Sequence, residues 1–248
     1  MKPYMINSDQ INRYHEDGYF ILDNVFDRET LEMLREECDI AIAAQNHAMD
    51  REGSNSLGLS HRDSRYFVFL PSVERPRLRE FIFSKFFYQI GQKLIGEPIY
   101  LFWDQFVAKF RDQKSVFNWH QDSGYVDTPH KPYLNCWIPL DDVNEVNGTI
   151  SILPYSKAGT KEKIPHSIPE DGGDRIGYTG TDPGDLIEVP AGSLVVFSSV
   201  ALHRSGPNQT DKMRRAYSMQ FSSEPIYETD GTLKGLAEPF ILPRETKW

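Results

Sequence analysis

YLFWDQFVAKF, residues 100–110, opens a succession of strand-like runs that decides the fold. It is followed by VFNWHQD (116–122), YLNCWIPLDD (133–142), GTISILP (148–154), GDLIEVP (184–190), GSLVVFSS (192–199) and RRAYSMQFSS (214–223). The runs are rich in β-branched and aromatic residues, and most are bounded by Gly, Pro, Asn or Asp. No long helical pattern separates one run from the next, which argues against an alternating βαβ order. Many short strands after a helical segment predict a mainly β protein, a jelly-roll or related barrel with helices packed on one face.

Upstream of residue 97 the period changes. Ser8 is a candidate cap for a short helix carrying Ile11, Tyr14 and His15, which Gly18 ends. Asp27 is placed to cap a second, in which Leu31, Leu34, Cys38 and Ala41 form one apolar stripe. A third helical stretch covers 77–96 and closes at Gly96. Residues 46–66 are polar and aperiodic and read as an irregular loop or lid, and 155–183 as a long insertion between strands. No repeat or linker divides the chain. Residues 1–248 are therefore expected to form one domain, helical to about 96 with a β core from about 97 to 225.

The bulk numbers narrow the function. Hydrophobic residues at 39% and charged residues at 25% suit a soluble globular protein. A net charge of -9 opposes general attraction to nucleic acid or anionic lipid. Two cysteines, Cys38 and Cys136, give neither a disulfide framework nor a CxxC metal site. The opening MKPYMINSDQ has no apolar h-region, and no run is long enough to span a bilayer. These features predict a cytoplasmic protein with a small-molecule partner.

His120 and Asp122 stand two apart in a strand-like run and should project to one side. They offer two of the three ligands of a 2-His-1-carboxylate set, which leaves open positions on a metal ion. Of seven histidines, His203 is the favoured third ligand, because it directly follows the apolar strand GSLVVFSSVAL and would be held by a rigid element. His130 and His166 fall in a turn and in the polar insertion, and His15, His47 and His61 in helix or loop, where surface or packing roles suffice. A lone His-x-Asp could equally be two unrelated strand residues. Beyond the turn SGPNQTDKM, Arg214 and Arg215 begin the last strand. One of them could pair with the distal carboxylate of a dicarboxylic acid. Ala216, Ser218 and Gln220 share the face of Arg214, and Tyr217, Met219 and Phe221 that of Arg215; periodicity does not choose between them.

The chain resembles the phytanoyl-CoA dioxygenase-like family of Fe(II)/2-oxoglutarate oxygenases. The resemblance runs from NSDQINRYHEDGYFILDNVFDRETLEMLREE through WHQD (119–122), CWIPLDDVNEVNGTISILPYSK (136–157) and GSLVVF (192–197) to HRSGPNQTDKMRRAYSMQF (203–221). It implies a double-stranded β-helix of the jelly-roll, cupin-like type, with His120, Asp122 and His203 on iron. It implies that Arg214 and Ser205 hold the far carboxylate of 2-oxoglutarate, that Trp137 and Thr149 line the co-substrate pocket, and that Gln105 and Lys109 face the barrel mouth near co-substrate or product. The implied reaction consumes O₂ and 2-oxoglutarate, releases succinate and CO₂, and oxidises a small molecule. Asp122 favours oxygen insertion over halogenation, since related halogenases lack this carboxylate.

Two other readings use the same residues. A zinc ion in the triad would activate water for hydrolysis, leaving Arg214 and Ser205 without a role. A cupin-like protein with inert or absent metal would need no co-substrate. Trp103, Phe117, Trp119, Tyr125 and Tyr133 suggest a partly apolar substrate, whereas Arg204 suggests an acidic one. Oligomeric state is not legible.

Overall fold

The computed structural model describes residues 6–112, 115–169 and 174–241. Residues 1–5 and 170–173, parts of the N-terminal stretch and of the insertion read above, lie outside the described residues. In chain order come α1 (Ser8–Asp17), β1 (Tyr19–Leu22), α2 (Arg28–Glu52), β2 (Ser56–Leu57), β3 (Ser60–His61) and β4 (Arg65–Phe69). After α3 (Pro76–Ile82) and α4 (Lys85–Leu94) follow β5 (Tyr100–Lys109), β6 (Phe117–His120), β7 (Leu134–Pro139) and β8 (Ile150–Leu153). The chain continues with α5 (Tyr155–Ala158), β9 (Asp185–Leu186), β10 (Leu194–Ser198), β11 (Leu202–Ser205), β12 (Arg214–Ser222) and β13 (Glu238–Pro239).

Local chemistry explains the helix ends. Asn7, not Ser8, caps α1: its Oδ1 accepts from the Gln10 N–H at 3.0 Å, while Gln10 Oε1 accepts from the Asn7 N–H at 2.8 Å. Asn and Ser cap almost equally well, so sequence preference could not separate neighbours. Gly18 ends the helix at φ 89°, a conformation costly for any side chain. Asp27 caps α2 through the Thr30 N–H at 2.9 Å. That helix reaches Glu52, so the first third of the expected loop 46–66 is helical; buried Met49 extends the apolar stripe. The stretch 77–96 is two helices rather than one, because Ser84 is extended (ψ 155°) between them.

Two antiparallel sheets form the jelly-roll. The larger runs β1-β10-β7-β12-β5-β4-β3-β2, with β13 also on β5, and the smaller runs β6-β11-β8-β9. The expected division at residue 96 is therefore not clean, since β1 and β2–β4 lie in the helical part yet complete the large sheet. Helices cover one face of that sheet, where Leu34, Cys38, Leu78, Phe87, Tyr217 and Met219 share one buried cluster. On its other face Trp137, Ile150, Ile152, Val195 and Ala216 pack together toward the smaller sheet. Strand alternation thus sends Tyr217, Met219 and Phe221 to the helices and leaves Arg214, Ser218 and Gln220 for the interior. Both cysteines are buried and unpaired. Among the described residues no helix is long and apolar enough to cross a membrane.

Candidate active site

His120 and His203 face each other across the β6–β11 ladder as direct Cα partners. Their ring centroids are 4.1 Å apart. In each ring Nδ1 bonds a backbone carbonyl two residues back, Asn118 O at 2.7 Å and Ala201 O at 3.1 Å. A carbonyl only accepts, so Nδ1 carries the proton and the Nε2 lone pair is left free. His203 sits on β11, after a turn, and not at the end of the β10 run as the sequence suggested. The smaller sheet, rather than the strongest apolar strand, carries both imidazoles.

Asp122 lies just past β6, where a 3-10 turn begins. Gln121 stays extended at φ -108°, ψ 140°, so the carboxylate still returns to the side of His120. Asp122 Oδ1 is 3.7 Å from Nε2 of each histidine. Its Oδ2 accepts from Gln220 Nε2 at 3.2 Å. All three donor atoms lie within 4.8 Å of one another. Burial would raise the Asp122 pKa, but the adjacent His203 and His120 outweigh it and hold the carboxyl below its ordinary value. Burial, with His120 alongside, depresses His203 to about 4. Two imidazole Nε2 atoms and one carboxylate make a donor set that suits a divalent transition metal and leaves coordination positions open.

Gln121, between two of these residues, is bolted to the insertion. Its Nε2 donates to Val200 O at 2.6 Å and Glu162 O at 2.9 Å, and its Oε1 accepts from the Ile164 N–H at 2.8 Å. His166 Nε2 accepts from the Gln121 N–H at 2.9 Å. The ring of His166 lies so close over Gly124 and Gly177 that a Cβ at either would fall 2.4–2.5 Å from it. His166, which the sequence left as an ordinary loop residue, therefore fastens the insertion beside the triad.

The triad opens into a cavity of about 510 Å³. Arg214 lies in its wall, only 2% exposed. Its guanidinium donates to Gly148 O at 2.6 Å, its Nε–H has no partner, and among the described residues it makes no ion pair. Burial lowers its pKa to about 10. Arg215 points the opposite way, to Asp141 at 2.9 Å and Asp39 at 3.3 Å. Ser205, Trp137 and Gln105 also line the cavity.

Two expected contacts are not made. Lys109 is buried outside the cavity wall, and its three N–H donors go to Ser115 O, Ser205 Oγ and Gly206 O at 2.7–2.8 Å. Thr149 turns away and donates to Ile187 O at 2.6 Å. Trp119 is buried with Leu153 and Leu202 away from the cavity. Arg204 lays its guanidinium over that ring at 5.0 Å and also lines the cavity. Strand alternation turns the Trp119 ring away from the inward-facing His120, while Arg204, packed on that ring, still reaches the cavity.

Both segments read as lids reach the mouth, through Leu59 and Arg175. Arg65 and Asp174 join them at 3.3 Å. The sequence reading also missed Gln220 and Asn135. Asn135 is fully buried next to Asp122, opposite Gln220 on β12, and its amide helps hold the Asp122 carboxyl below its ordinary value. Gln220 was visible as a polar residue on the face of Arg214; Asn135, within YLNCWIPLDD, had no such marker.

A jelly-roll that converges two imidazoles and one carboxylate on a cavity with a buried, anion-seeking arginine defines the class of double-stranded β-helix metalloenzymes. The sequence model of the phytanoyl-CoA dioxygenase family matches residues 14–216. The chain belongs to that family, and it is a 2-oxoglutarate-dependent non-haem iron dioxygenase. Ectoine dioxygenase of Bordetella bronchiseptica is 24% identical over 241 residues, covering 88% of this chain and 76% of its own. A hypophosphite dioxygenase of Stutzerimonas stutzeri, described as probable and α-ketoglutarate-dependent, is 25% identical over 84% of this chain and 76% of its own. Among solved structures, the α-ketoglutarate-dependent carbocyclase SnoK from nogalamycin biosynthesis superposes with a TM-score of 0.71 at 18% identity, over 96% of this chain and 94% of that one.

Proposed function

We propose that His120, Asp122 and His203 hold Fe(II), that Arg214 with Ser205 holds the far carboxylate of 2-oxoglutarate, and that the enzyme hydroxylates a small molecule in the remaining cavity. Iron and 2-oxoglutarate, when bound, supply an oxidant made from O₂ with release of succinate and CO₂. The protein supplies geometry. Backbone carbonyls fix both histidine tautomers, which aims the Nε2 lone pairs at one point. Gln220 occupies one oxygen of Asp122, which favours a single-oxygen bond to the metal from the other. Trp137 and Ile150 form part of the wall that keeps water from the reacting centre.

The observation that carries this reading is Arg214. A buried guanidinium with an unsatisfied N–H and no acidic partner is costly unless an anion completes it. A hydrolytic zinc centre gives it nothing to bind. The net charge of -9, the unpaired buried cysteines and the cavity at the triad support a cytoplasmic one-domain enzyme with a small-molecule substrate and no nucleic-acid partner.

The test is anaerobic titration of apoprotein with Fe(II) and then 2-oxoglutarate. A visible metal-to-ligand charge-transfer band is expected; folded protein that binds both yet shows no band, or binds neither, refutes the assignment.

A further inference from the structure

We infer that the substrate is an uncharged small molecule built on a ring system, held against a ladder of aromatic side chains that begins at His120 and walls the cavity. The inference rests on the oxygenase reading, because it seats the substrate beside a residue assigned to the metal.

The ladder is continuous. Phe117 lies 4.5 Å from the His120 ring, Phe67 is 5.5 Å from Phe117, and Phe69 is 6.4 Å from Phe67. Trp103 stands 5.5 Å from Phe69, Phe102 6.2 Å from Trp103, and Tyr133 4.9 Å from Phe102. Every step falls within the spacing at which rings attract edge-to-face or offset. All of these rings line the same cavity. Phe106 and Tyr217, 4.5 Å apart under the helices, line no part of it, whereas Phe67, Phe102, Phe117 and Tyr133 are buried yet present ring surface to the cavity. Phe69 is 42% exposed and stands where the row of rings reaches solvent.

Charge excludes the alternatives. Of the cations along this part of the cavity, Arg175 is paired with Asp127 at 2.8 Å and Lys234 with Glu228 at 2.6 Å. Arg204 spends its guanidinium on Trp119. An anionic substrate such as a CoA thioester would find Arg175 and Lys234 held by carboxylates and Arg204 laid on a ring, and the buried Arg214 is already assigned to 2-oxoglutarate. A zwitterion or small oxyanion would find a wall of rings where it needs donors. The cavity of about 510 Å³ must also hold 2-oxoglutarate, which leaves room for a compact ring system but not for a nucleotide tail.

Three probes separate these classes: 2-naphthol, its anionic counterpart 2-naphthoate, and hexanoyl-CoA. Saturation-transfer NMR reports their binding to apoprotein, and displacement of the chelate band reports it in the Fe(II)·2-oxoglutarate form. Naphthol should bind at least about tenfold more tightly than naphthoate, and Phe117→Leu and Phe69→Ala should each weaken it by about tenfold. Phe69→Ala lies at the surface, so it keeps the test open should Phe117→Leu misfold. Equal or tighter binding of naphthoate or hexanoyl-CoA, or naphthol binding that ignores both substitutions, overturns the inference. A normal chelate band with no naphthol binding sinks the substrate class alone. Naphthol binding through Phe69 without any chelate band sinks the oxygenase reading alone.

Discussion

The inner and outer halves of the cavity share strands but obey different rules. At the inner end the site's side chains are fixed by the framework: the histidines by carbonyls two residues back, Asp122 by Gln220 on β12, Arg214 by Gly148 O. At the outer end the rings touch chiefly one another, and the segments above them are joined by side-chain pairs such as Arg65–Asp174 and Arg175–Asp127. The difference separates chemistry from selectivity. Reacting groups need sub-ångström placement, which paired strands provide, whereas a substrate wall can change with the loops that cover it.

The sharpest break of this contrast comes from the inner end. Asp122→Ala removes the carboxylate of the proposed metal set and should cost iron affinity more than the roughly 10- to 100-fold typical of losing an outer partner. Equilibrium dialysis with Fe(II) reads it, and retained activity would remove the triad from the site. Next, Arg214→Ala should weaken 2-oxoglutarate by about 2–3 kcal/mol, roughly 30- to 150-fold, with iron affinity kept. Arg215→Ala, on the helix side of the same strand, should leave 2-oxoglutarate binding alone and lower stability by about 1 kcal/mol. A larger co-substrate effect at Arg215 would reverse the facing of β12.

Gln220→Leu should weaken the metal by about tenfold, since Asp122 loses its donor, and Gln220→Glu should do worse by repulsion. Co(II) absorption separates an altered ligand field from simple unfolding. The mildest effect is a slope. His203 titrates near 6.5 unfolded but near 4 in the folded apoprotein. Between those values the unfolded chain binds more protons, so apoprotein stability should fall steadily as pH drops from about 6.5 toward 4 and be fully present above it. Denaturant midpoints across that window check the sign. A flat profile would mean the His203 environment is more hydrated than its burial indicates.

The legibility of this fold follows the range of the interactions involved. Alternating strands, the Asp27 cap and the Gly18 stop are encoded within a few residues, and each stands in the structure where its pattern put it. Met49, one apolar residue among polar ones, could extend α2 only because other elements bury it. The metal set was legible as His-x-Asp plus a strand-borne His203. Nearness to an apolar strand does not by itself place His203; the smaller sheet and its register with His120 decide its position.

By itself, then, the sequence determined the jelly-roll class, the three residues brought together beside Gln220, and the candidate arginines. Only the tertiary structure decided that Arg214 faces inward, that Lys109 and Thr149 spend their donors on backbone and Ser205, and that His166 fastens the insertion. The physical reason is that local periodicity specifies which side chains share a face. Which face meets helices, cavity or loop depends on partners far along the chain, and so does whether a buried donor is already satisfied.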